Sequence, residues 1–371
     1  MNIGYGKQTI GKDDLNEVER VLGSGFLTCG PEVKNFEDKF SKEVGSKYAV
    51  AVSSGTAALH LACIALGLRE GDELITSPMT FAASANCALY CGAKPVFIDV
   101  DEKTGLIDEN KIEEKISEKT KIIIPVHYGG MPCNLEKIKS LADKYNLRIV
   151  EDACHALGAE YKKSKIGDCF YSDMAVFSFH PVKHITTGEG GMITTNSKEL
   201  YEKLLRLRSH GIEKKEDWKQ EMVELGYNYR ITDFQCALGS NQLNNLKNFI
   251  SKRREIAKKY DEELGIESKL ELIKEKENLF NPYHLYVIKL QNSELRKRLY
   301  DFLKEKGIFC QVHYIPVYLH PYYQSLGYKK GLCSSAENFY EKILSIPVYP
   351  LLKEEEQTFV IEKIKEFLKN N

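Results

Sequence analysis

The sequence lacks the features that mark several large classes of protein. Its 371 residues contain no apolar stretch long enough to span a membrane, and the polar residues 1–10 have no signal-peptide core. Lysine and arginine number 52 and aspartate and glutamate 53, so the charges nearly cancel, and no basic stripe marks a nucleic-acid binder. We therefore expect a cytoplasmic globular protein that binds neither membranes nor nucleic acids.

The cysteines also lack any metal-binding or disulfide pattern. The ten cysteines include no Cys-x-x-Cys pair and no cysteine–histidine cluster at zinc spacing. Several of them, such as Cys63, Cys87 and Cys236, lie in apolar surroundings. We expect these side chains to be reduced and buried, and we predict no metal site.

The sequence does contain an alternation of short apolar runs with helical stretches. Strands are predicted at residues 48–52, 74–76, 95–100, 121–127, 148–150 and 174–177, with helices at 81–91 and 135–145 among them. This alternation predicts an α/β fold with a mostly parallel sheet that helices cover on both faces. The length predicts two domains, a large one over 1–245 and a smaller C-terminal α+β domain over 246–371. Helices at 334–344 and 354–369 are predicted to close the chain.

Polar and aromatic residues follow the carboxyl ends of these predicted strands. Thr56, Phe81, Asp152 and Ser178 all lie at or just beyond such an end, where α/β sheets bind ligands. In SSGTAALHLA, small residues open a helix and leave backbone N–H groups free for an anion such as phosphate. The alternative interpretation is a plain strand–helix junction capped by Ser54 or Thr56. The glycine-rich dinucleotide fingerprint is absent.

One lysine and one aspartate stand in unusual surroundings for charged residues. Lys183 lies in SFHPVKHITTGEGG, a turn between two predicted strands, with no acidic residue within five positions. Desolvation of such an amine favours the neutral, nucleophilic form. Asp152 follows a buried strand, where a carboxylate needs a cationic partner or several hydrogen bonds. Alternatively, Lys183 is a solvated turn lysine and Asp152 caps the turn after its strand.

The chain as a whole resembles the DegT-type family of nucleotide-sugar aminotransferases. The similarity runs through GFLTCGP, SSGTAALHLA, EDACHALG, FSFHPVKHITTGEGG, RSHGI, LGYNYRITDFQCALG and QVHYIPVYLHPYY. It implies pyridoxal phosphate as cofactor on the aspartate-aminotransferase fold, which is fold type I, and L-glutamate as amino donor. The last four segments most resemble the subgroup that aminates carbon 4 of a UDP-linked 4-keto-6-deoxy-N-acetylhexosamine for pseudaminic acid.

The resemblance implies a role for each residue near the cofactor ring. Lys183 would carry the cofactor covalently and then serve as general base and acid. Asp152 would pair with the pyridine nitrogen and keep it protonated. Phe81 would stack on the ring, and His155 would lie near the ring hydroxyl.

The resemblance also implies the phosphate and substrate contacts. Gly55, Thr56 and Ser178 would hold the phosphate, and Asn228 would reach it from a second subunit, so a homodimer with shared sites is expected. Arg230 would pair with the substrate diphosphate, although a structural salt bridge explains it equally well. The residues implied to contact the UDP-sugar are Tyr5, Gly25, Phe26, Leu27, Thr28, Ser54, Arg230, His313, Tyr314, Ile315 and Pro316.

Three other functions compete with this interpretation. An aminotransferase of the same family that makes perosamine or a 3-amino sugar shares every cofactor residue. A pyridoxamine-dependent sugar dehydratase has a histidine in place of the lysine, so Lys183 argues against that class. A non-catalytic regulator that senses the cofactor predicts an added DNA-binding segment, for which we see no room at either end.

Overall fold

Helices and strands alternate along most of the chain. A computed structural model describes residues 2–371. The helices are α1 (Lys12–Leu22), α2 (Pro31–Val44), α3 (Gly55–Ala65), α4 (Ala83–Tyr90), α5 (Leu135–Tyr145), α6 (Lys198–Arg208), α7 (Asp233–Asn244), α8 (Leu246–Leu264), α9 (Ser293–Glu305), α10 (Pro321–Ser325), α11 (Ser334–Lys342) and α12 (Glu354–Lys369). The strands are β1 (Ile3–Gly4), β2 (Tyr48–Val52), β3 (Glu73–Thr76), β4 (Lys94–Phe97), β5 (Thr120–Ile124), β6 (Arg148–Asp152), β7 (Glu160–Tyr161), β8 (Ser164–Lys165), β9 (Met174–Ser178), β10 (Gly191–Thr195), β11 (Ile212–Lys214), β12 (Gln220–Met222), β13 (Leu270–Leu272), β14 (Leu279–Phe280), β15 (Tyr286–Leu290), β16 (Ile308–Phe309) and β17 (Ile343–Ile346).

A seven-stranded sheet in the order β2-β10-β9-β6-β5-β3-β4 forms the centre of the N-terminal part of the chain. Strand β10 is antiparallel to both of its neighbours, and the other adjacent strands are parallel. Along β9, Met174 and Val176 pack with α3 and α6, whereas Ala175 and Phe177 pack with α2 and α7. Both faces of the sheet are therefore buried, which explains why its strands are continuous apolar runs.

The direction of the strands brings four loops to one edge of the sheet. Strands β2, β3, β6 and β9 run the same way, so their carboxyl ends meet at that edge. The long turn from β9 into the antiparallel β10 lies at the same edge, and it carries Lys183. Residues far apart in sequence thus come together where an α/β sheet binds its ligand.

A second core forms around the three-stranded antiparallel sheet β13-β15-β17. Helix α8 contributes to both cores, with Phe249 in that of the large sheet and Tyr260 in that of the small one. At the start of the chain, Ile3 pairs with Ile308 and packs in the small core. The helix break at Asn245 falls where the domain division was predicted, and the division itself stays a prediction.

The structure corrects one boundary in the C-terminal part. The helix predicted for 334–344 ends at Lys342, and Ile343 begins strand β17, which the sequence interpretation missed. The four residues of this strand are all buried, so pairing with β15 outweighs continuation of the helix. None of the helices in residues 2–371 is long and apolar enough to cross a membrane.

Candidate active site

A cavity of about 550 Å³ opens at the edge of the large sheet where the strand ends meet. Its walls come from the loops after β2, β3, β6 and β9, from residues 311–314 and from the N-terminal arm. The predicted site residues that line it are Tyr5, Ser54, Gly55, Thr56, Phe81, Asp152, His155, Ser178, Lys183, His313 and Tyr314. The structure therefore brings the residues predicted around the ring together with part of the predicted substrate set.

The remaining predicted residues lie outside this cavity in the single chain. They are Gly25, Phe26, Leu27, Thr28, Asn228, Arg230, Ile315 and Pro316. Asn228 is exposed, and Arg230 lines a separate hollow beside Cys29 and Lys34. Within residues 2–371 Arg230 forms no ion pair, so an internal salt bridge does not explain this residue.

The start of α3 forms a cradle for an anion. Ser54 caps the helix, and its Oγ accepts a hydrogen bond of 3.1 Å from the Ala57 N–H. A Cβ atom at Gly55 would lie 3.0 Å from the Ser178 Cβ and 3.3 Å from the Cys154 Sγ. Only glycine leaves this space open, and the free N–H groups of the first helical turn favour a negative charge there.

Asp152 is buried at the end of β6 and is held by hydrogen bonds. Its Oδ2 accepts a hydrogen bond of 2.5 Å from the Ser84 Oγ, and its Oδ1 accepts one of 3.1 Å from the Cys154 N–H. The Ser84 Oγ also lies 2.6 Å from the Thr80 Oγ1. No lysine or arginine of the described chain pairs with this carboxylate, so a cationic ligand would complete its surroundings.

The surroundings of Lys183 favour an uncharged amine. The side chain is partly buried, and burial lowers the pKa of its amine, although Cys154 and Asp152 oppose this effect. The Lys183 Nζ lies 3.5 Å from the Nε2 of His284. A desolvated amine of this kind matches the nucleophile that the turn sequence predicted.

Neutral aromatic side chains complete the cavity. The His155 Nδ1 accepts a hydrogen bond from the Gly129 N–H, so its proton lies on Nε2, 3.1 Å from the Tyr314 Oη. Burial, together with the nearby Lys183, holds the pKa of His155 well below its usual range. Phe81 is 63% exposed at the mouth, with its ring centre 6.3 Å from that of Tyr314.

The sequence interpretation missed two residues of this site. Ser84 lies at the start of α4, three residues after Phe81, which is a spacing that places two side chains on one side of a helix start. His284 comes from the segment before β15, and its sequence neighbours resemble those of any buried strand. For His284 no local signal was available.

These features fit pyridoxal phosphate. A glycine-lined helix start suits its phosphate, a buried carboxylate suits its ring nitrogen, and a desolvated lysine suits its aldehyde. The central sheet with one antiparallel strand and the lysine turn beside it are those of a fold type I enzyme of this cofactor class.

Comparison with known proteins gives the family. The model of the DegT/DnrJ/EryC1/StrS aminotransferase family matches residues 8–365, so the chain belongs to this family. The UDP-4-amino-4,6-dideoxy-N-acetyl-beta-L-altrosamine transaminase of Campylobacter jejuni strain 81-176 is 42% identical over 375 residues, which cover 98% of each chain. The GDP-perosamine synthase of Escherichia coli O157:H7 is 38% identical over 351 residues, which cover 94% of each chain.

Solved structures agree with this membership. PseC of Helicobacter pylori, an aminotransferase of pseudaminic acid biosynthesis, has a TM-score of 0.96 at 33% identity, with all of both chains covered. The PLP form of the putative sugar aminotransferase Spr1654 of Streptococcus pneumoniae has a TM-score of 0.95 at 30% identity, covering 100% of this chain and 99% of that one. The predicted family, fold type, sugar aminotransferase class and pyridoxal phosphate cofactor are thereby confirmed.

Proposed function

We propose that this protein transfers the amino group of L-glutamate to carbon 4 of a UDP-linked 4-keto-6-deoxy-N-acetylhexosamine. The product would be UDP-4-amino-4,6-dideoxy-N-acetyl-β-L-altrosamine, a precursor of pseudaminic acid. The observation that carries the proposal is the cavity in which Lys183, Asp152 and the Gly55 cradle converge. The choice of sugar is supported by the similarity to the C. jejuni transaminase and to H. pylori PseC.

The cofactor contacts follow from the positions of the side chains. Asp152 would hold the ring nitrogen in its protonated form, and Ser84 would fix the orientation of that carboxylate. Phe81 would cover the open face of the ring, since its side chain stands at the cavity mouth. His155, held neutral by burial, would face the ring hydroxyl.

The phosphate contacts use the opposite end of the cavity. Gly55 and Thr56 would offer backbone and hydroxyl donors at the start of α3, and the Ser178 hydroxyl would add another. Asn228 lies outside the cavity and is exposed, so it would reach a phosphate only from a second subunit. We propose a homodimer with shared sites on this ground.

Lys183 would perform the proton transfers. The bound cofactor supplies an electron sink, which makes a carbon–hydrogen bond next to the reacting nitrogen acidic. The Lys183 Nζ, whose pKa burial lowers, would take a proton from the α-carbon of glutamate. The same atom would later deliver a proton to carbon 4 of the sugar. One site serves both substrates in turn, which predicts ping-pong kinetics.

The sugar nucleotide would bind against the cavity wall that residues 311–314 and the N-terminal arm form. His313 and Tyr314 line this wall, and the Tyr5 ring centre lies 5.2 Å from that of His313. Among the described residues 2–371 Arg230 forms no ion pair, so its guanidinium would be available to a diphosphate. The remaining proposed contacts, outside the cavity of one chain, are Gly25, Phe26, Leu27, Thr28, Ile315 and Pro316.

A second candidate is amination of carbon 4 in a GDP-linked ketosugar, as in perosamine synthesis. The 38% identity with the E. coli GDP-perosamine synthase supports this candidate. The cofactor residues do not discriminate, because amination of a GDP-linked and of a UDP-linked sugar needs the same ones. Only the substrate wall distinguishes the two functions.

Incubation of the purified protein with L-glutamate and a panel of ketosugars decides between them. The panel holds UDP-, GDP- and dTDP-linked 4-keto-6-deoxy sugars, and mass spectrometry reports which one gains an amine. We expect amination of the UDP-linked N-acetyl sugar at a kcat/KM well above that of the others. Preferred amination of the GDP sugar would support the second candidate, and no loss of the visible cofactor band with glutamate would contradict both.

A further inference from the structure

His284 stands in a position for which the proposed proton transfers give no account. It precedes β15, 101 residues beyond Lys183, and its Nε2 lies 3.5 Å from the Lys183 Nζ. Among residues 2–371 it is the one side chain within hydrogen-bonding distance of that amine. His284 is 4% exposed, and its ring centre is 4.3 Å from that of His155.

The protonation of the two groups fixes which atom donates. A lysine amine carries N–H donors in both its charged and its neutral form, whereas a neutral imidazole has one acceptor nitrogen. Burial, with Lys183 adding to it, holds the pKa of His284 well below its usual range, so the ring is neutral. A charged lysine amine can only donate, so in that state the Nε2 atom of the neutral ring accepts from it and the imidazole proton lies on Nδ1.

The other ring nitrogen of His284, Nδ1, plays no structural role. Its Nδ1 is buried and has no hydrogen-bond partner in the described chain. An unpaired buried polar group destabilises the folded state, and an apolar side chain would fill the same space without that penalty. In the described chain the imidazole of His284 has the Lys183 amine as its one polar contact, so this contact explains the histidine better than packing does.

Arg253 of α8 fixes the distance between the two residues. Its Nη1 donates to the His284 carbonyl at 3.3 Å and to the Val348 carbonyl at 2.8 Å, and its Nη2 donates to the Val182 carbonyl at 3.5 Å. One buried guanidinium therefore holds both His284 and the residue before Lys183. A rigid contact of this kind is what positioning of a reacting group requires.

We propose that His284 is a positioning residue that accepts a hydrogen bond from the free Lys183 amine through Nε2 and thereby turns its lone pair toward the cavity. This inference rests on the proposed role of Lys183. A neutral amine has two donors and one lone pair, so occupying one donor leaves the lone pair free to take a proton or to attack a carbonyl. The charged and titratable groups around the pair are Asp152, Cys154, His155, His184, Arg253 and His313.

Two amide variants separate positioning from packing. In His284→Gln the side-chain amide reaches the place of Nε2 and offers an acceptor oxygen to the lysine. In His284→Asn the same amide ends at the place of Nδ1 and cannot reach it. His284→Phe keeps a ring and removes both nitrogens. Thermal melting and circular dichroism of each protein without cofactor establish that the variants are folded.

The measurement is the rate at which the apoprotein captures pyridoxal phosphate covalently at Lys183, followed by its visible band as a function of pH. At high pH every amine is neutral, so the plateau rate reports orientation alone. We expect this plateau to fall about tenfold or more in the Asn and Phe variants and to stay within about threefold of wild type in the Gln variant. Loss of the acceptor also disfavours the charged amine, so the midpoint moves to lower pH in Asn and Phe.

A second readout needs no cofactor. Pulsed acetylation of the apoprotein with peptide mass spectrometry gives the pH midpoint of Lys183 itself, and Gln should again follow wild type. Equal plateau rates and equal midpoints in the folded Gln and Asn variants would overturn the proposal. If the wild-type apoprotein captured no cofactor at Lys183, the proposed role of the lysine would fail as well. That outcome is distinguishable from failure of the His284 proposal alone, in which the wild-type protein still captures the cofactor.

Discussion

At the scale of single residues, the site depends on two ionisable groups that the fold removes from water. Lys183 has an amine whose pKa is lowered by burial, and Asp152 has a carboxylate held by Ser84 and by the Cys154 N–H. Neither group gains an ion pair with an oppositely charged residue of the described chain. Both groups therefore lack a charged partner in the described chain, which agrees with the cofactor contacts proposed for them.

Lys183→Ala should abolish covalent cofactor binding and turnover while the chain stays folded. The side chain is only partly buried at a turn, so its loss removes little core packing. Borohydride reduction followed by peptide mass spectrometry measures attachment. Lys198→Ala is the matched control, because Lys198 lies on the exposed surface beside Glu202 and should retain full activity. A normal cofactor band and full activity in Lys183→Ala would mean that another residue carries the cofactor.

Asp152→Asn should reduce turnover by orders of magnitude and weaken cofactor binding. An amide leaves the pyridine nitrogen without a counter-charge, and a neutral pyridine is a poor electron sink. Ser84→Ala keeps the carboxylate and removes one hydrogen bond, so its effect should be smaller. We expect the loss of transition-state stabilisation not to exceed about 1.5–3 kcal/mol. Steady-state kinetics and cofactor titration measure both variants. Wild-type rates in Asp152→Asn would contradict the assignment to the ring nitrogen.

At the scale of elements, the helix start of α3 lies so close to β9 that a Cβ atom at Gly55 would crowd Ser178 and Cys154. The close approach of Gly55 to Ser178 leaves the N–H groups of the helix open toward the cavity. The sequence pattern predicted a helix here but gave no measure of this distance.

Gly55→Ala should weaken cofactor binding by about tenfold without unfolding the protein. Alanine favours the helix, but its Cβ would lie 3.0 Å from the Ser178 Cβ and push the two elements apart. The double variant Gly55→Ala with Ser178→Gly removes that contact and should regain part of the affinity. Cofactor titration by fluorescence measures both. Unchanged affinity in Gly55→Ala would show that the phosphate binds elsewhere.

At the scale of the whole molecule, four buried histidines gather where the two cores meet. Burial lowers the pKa of His155, His184 and His284 well below 6.5, and it lowers that of His313 to about 3. In the unfolded chain histidine titrates near 6.5, so as the pH falls the unfolded state binds protons that the folded state does not. Their contribution to stability is complete above about pH 6.5 and is lost as the pH falls toward the folded pKa values.

We therefore expect the free energy of unfolding to fall between about pH 6.5 and pH 5, by up to about 1.4 kcal/mol per pH unit for each histidine. The melting temperature should fall steadily over the same range. Thermal melting in buffers of equal ionic strength measures this. His313→Asn should reduce the pH dependence of the free energy of unfolding by at most the contribution of one histidine. A melting temperature independent of pH in this range would contradict the prediction.

The proposed sharing of sites between two subunits would also be a property of the whole molecule. Asn228 is exposed and lies outside the cavity of its own chain, beside Tyr227 and Tyr229. Mixing inactive Lys183→Ala chains with inactive Asn228→Asp chains should restore activity at one site of each heterodimer, where an intact lysine faces an intact asparagine. Subunit exchange is verified by mass spectrometry of the native complex. No recovery despite exchange between two inactive parents would mean that each chain builds its own site.

The sequence by itself determined the features that depend on local pattern and motif order. Apolar runs buried on both sides predicted a parallel sheet, and strand ends followed by Thr56, Asp152 and Ser178 predicted where ligands bind. The resemblance carried by seven motifs in order, among them the one around Lys183, implied the cofactor class. These inferences rest on the order of apolar and polar residues within short stretches, and that order can be read directly from the chain.

Only the tertiary structure decided the contacts between distant segments. Ser84 meets Asp152 across 68 residues, and His284 meets Lys183 across 101. The spacing of Ser84 from Phe81 hinted at its side of the helix but not at its partner, and His284 had no local signal at all. Likewise, Ile3 pairs with Ile308, and β17 replaces the end of a predicted helix. Such contacts depend on how elements far apart in sequence pack together in three dimensions. A pattern along the chain carries no information about the distance between such elements.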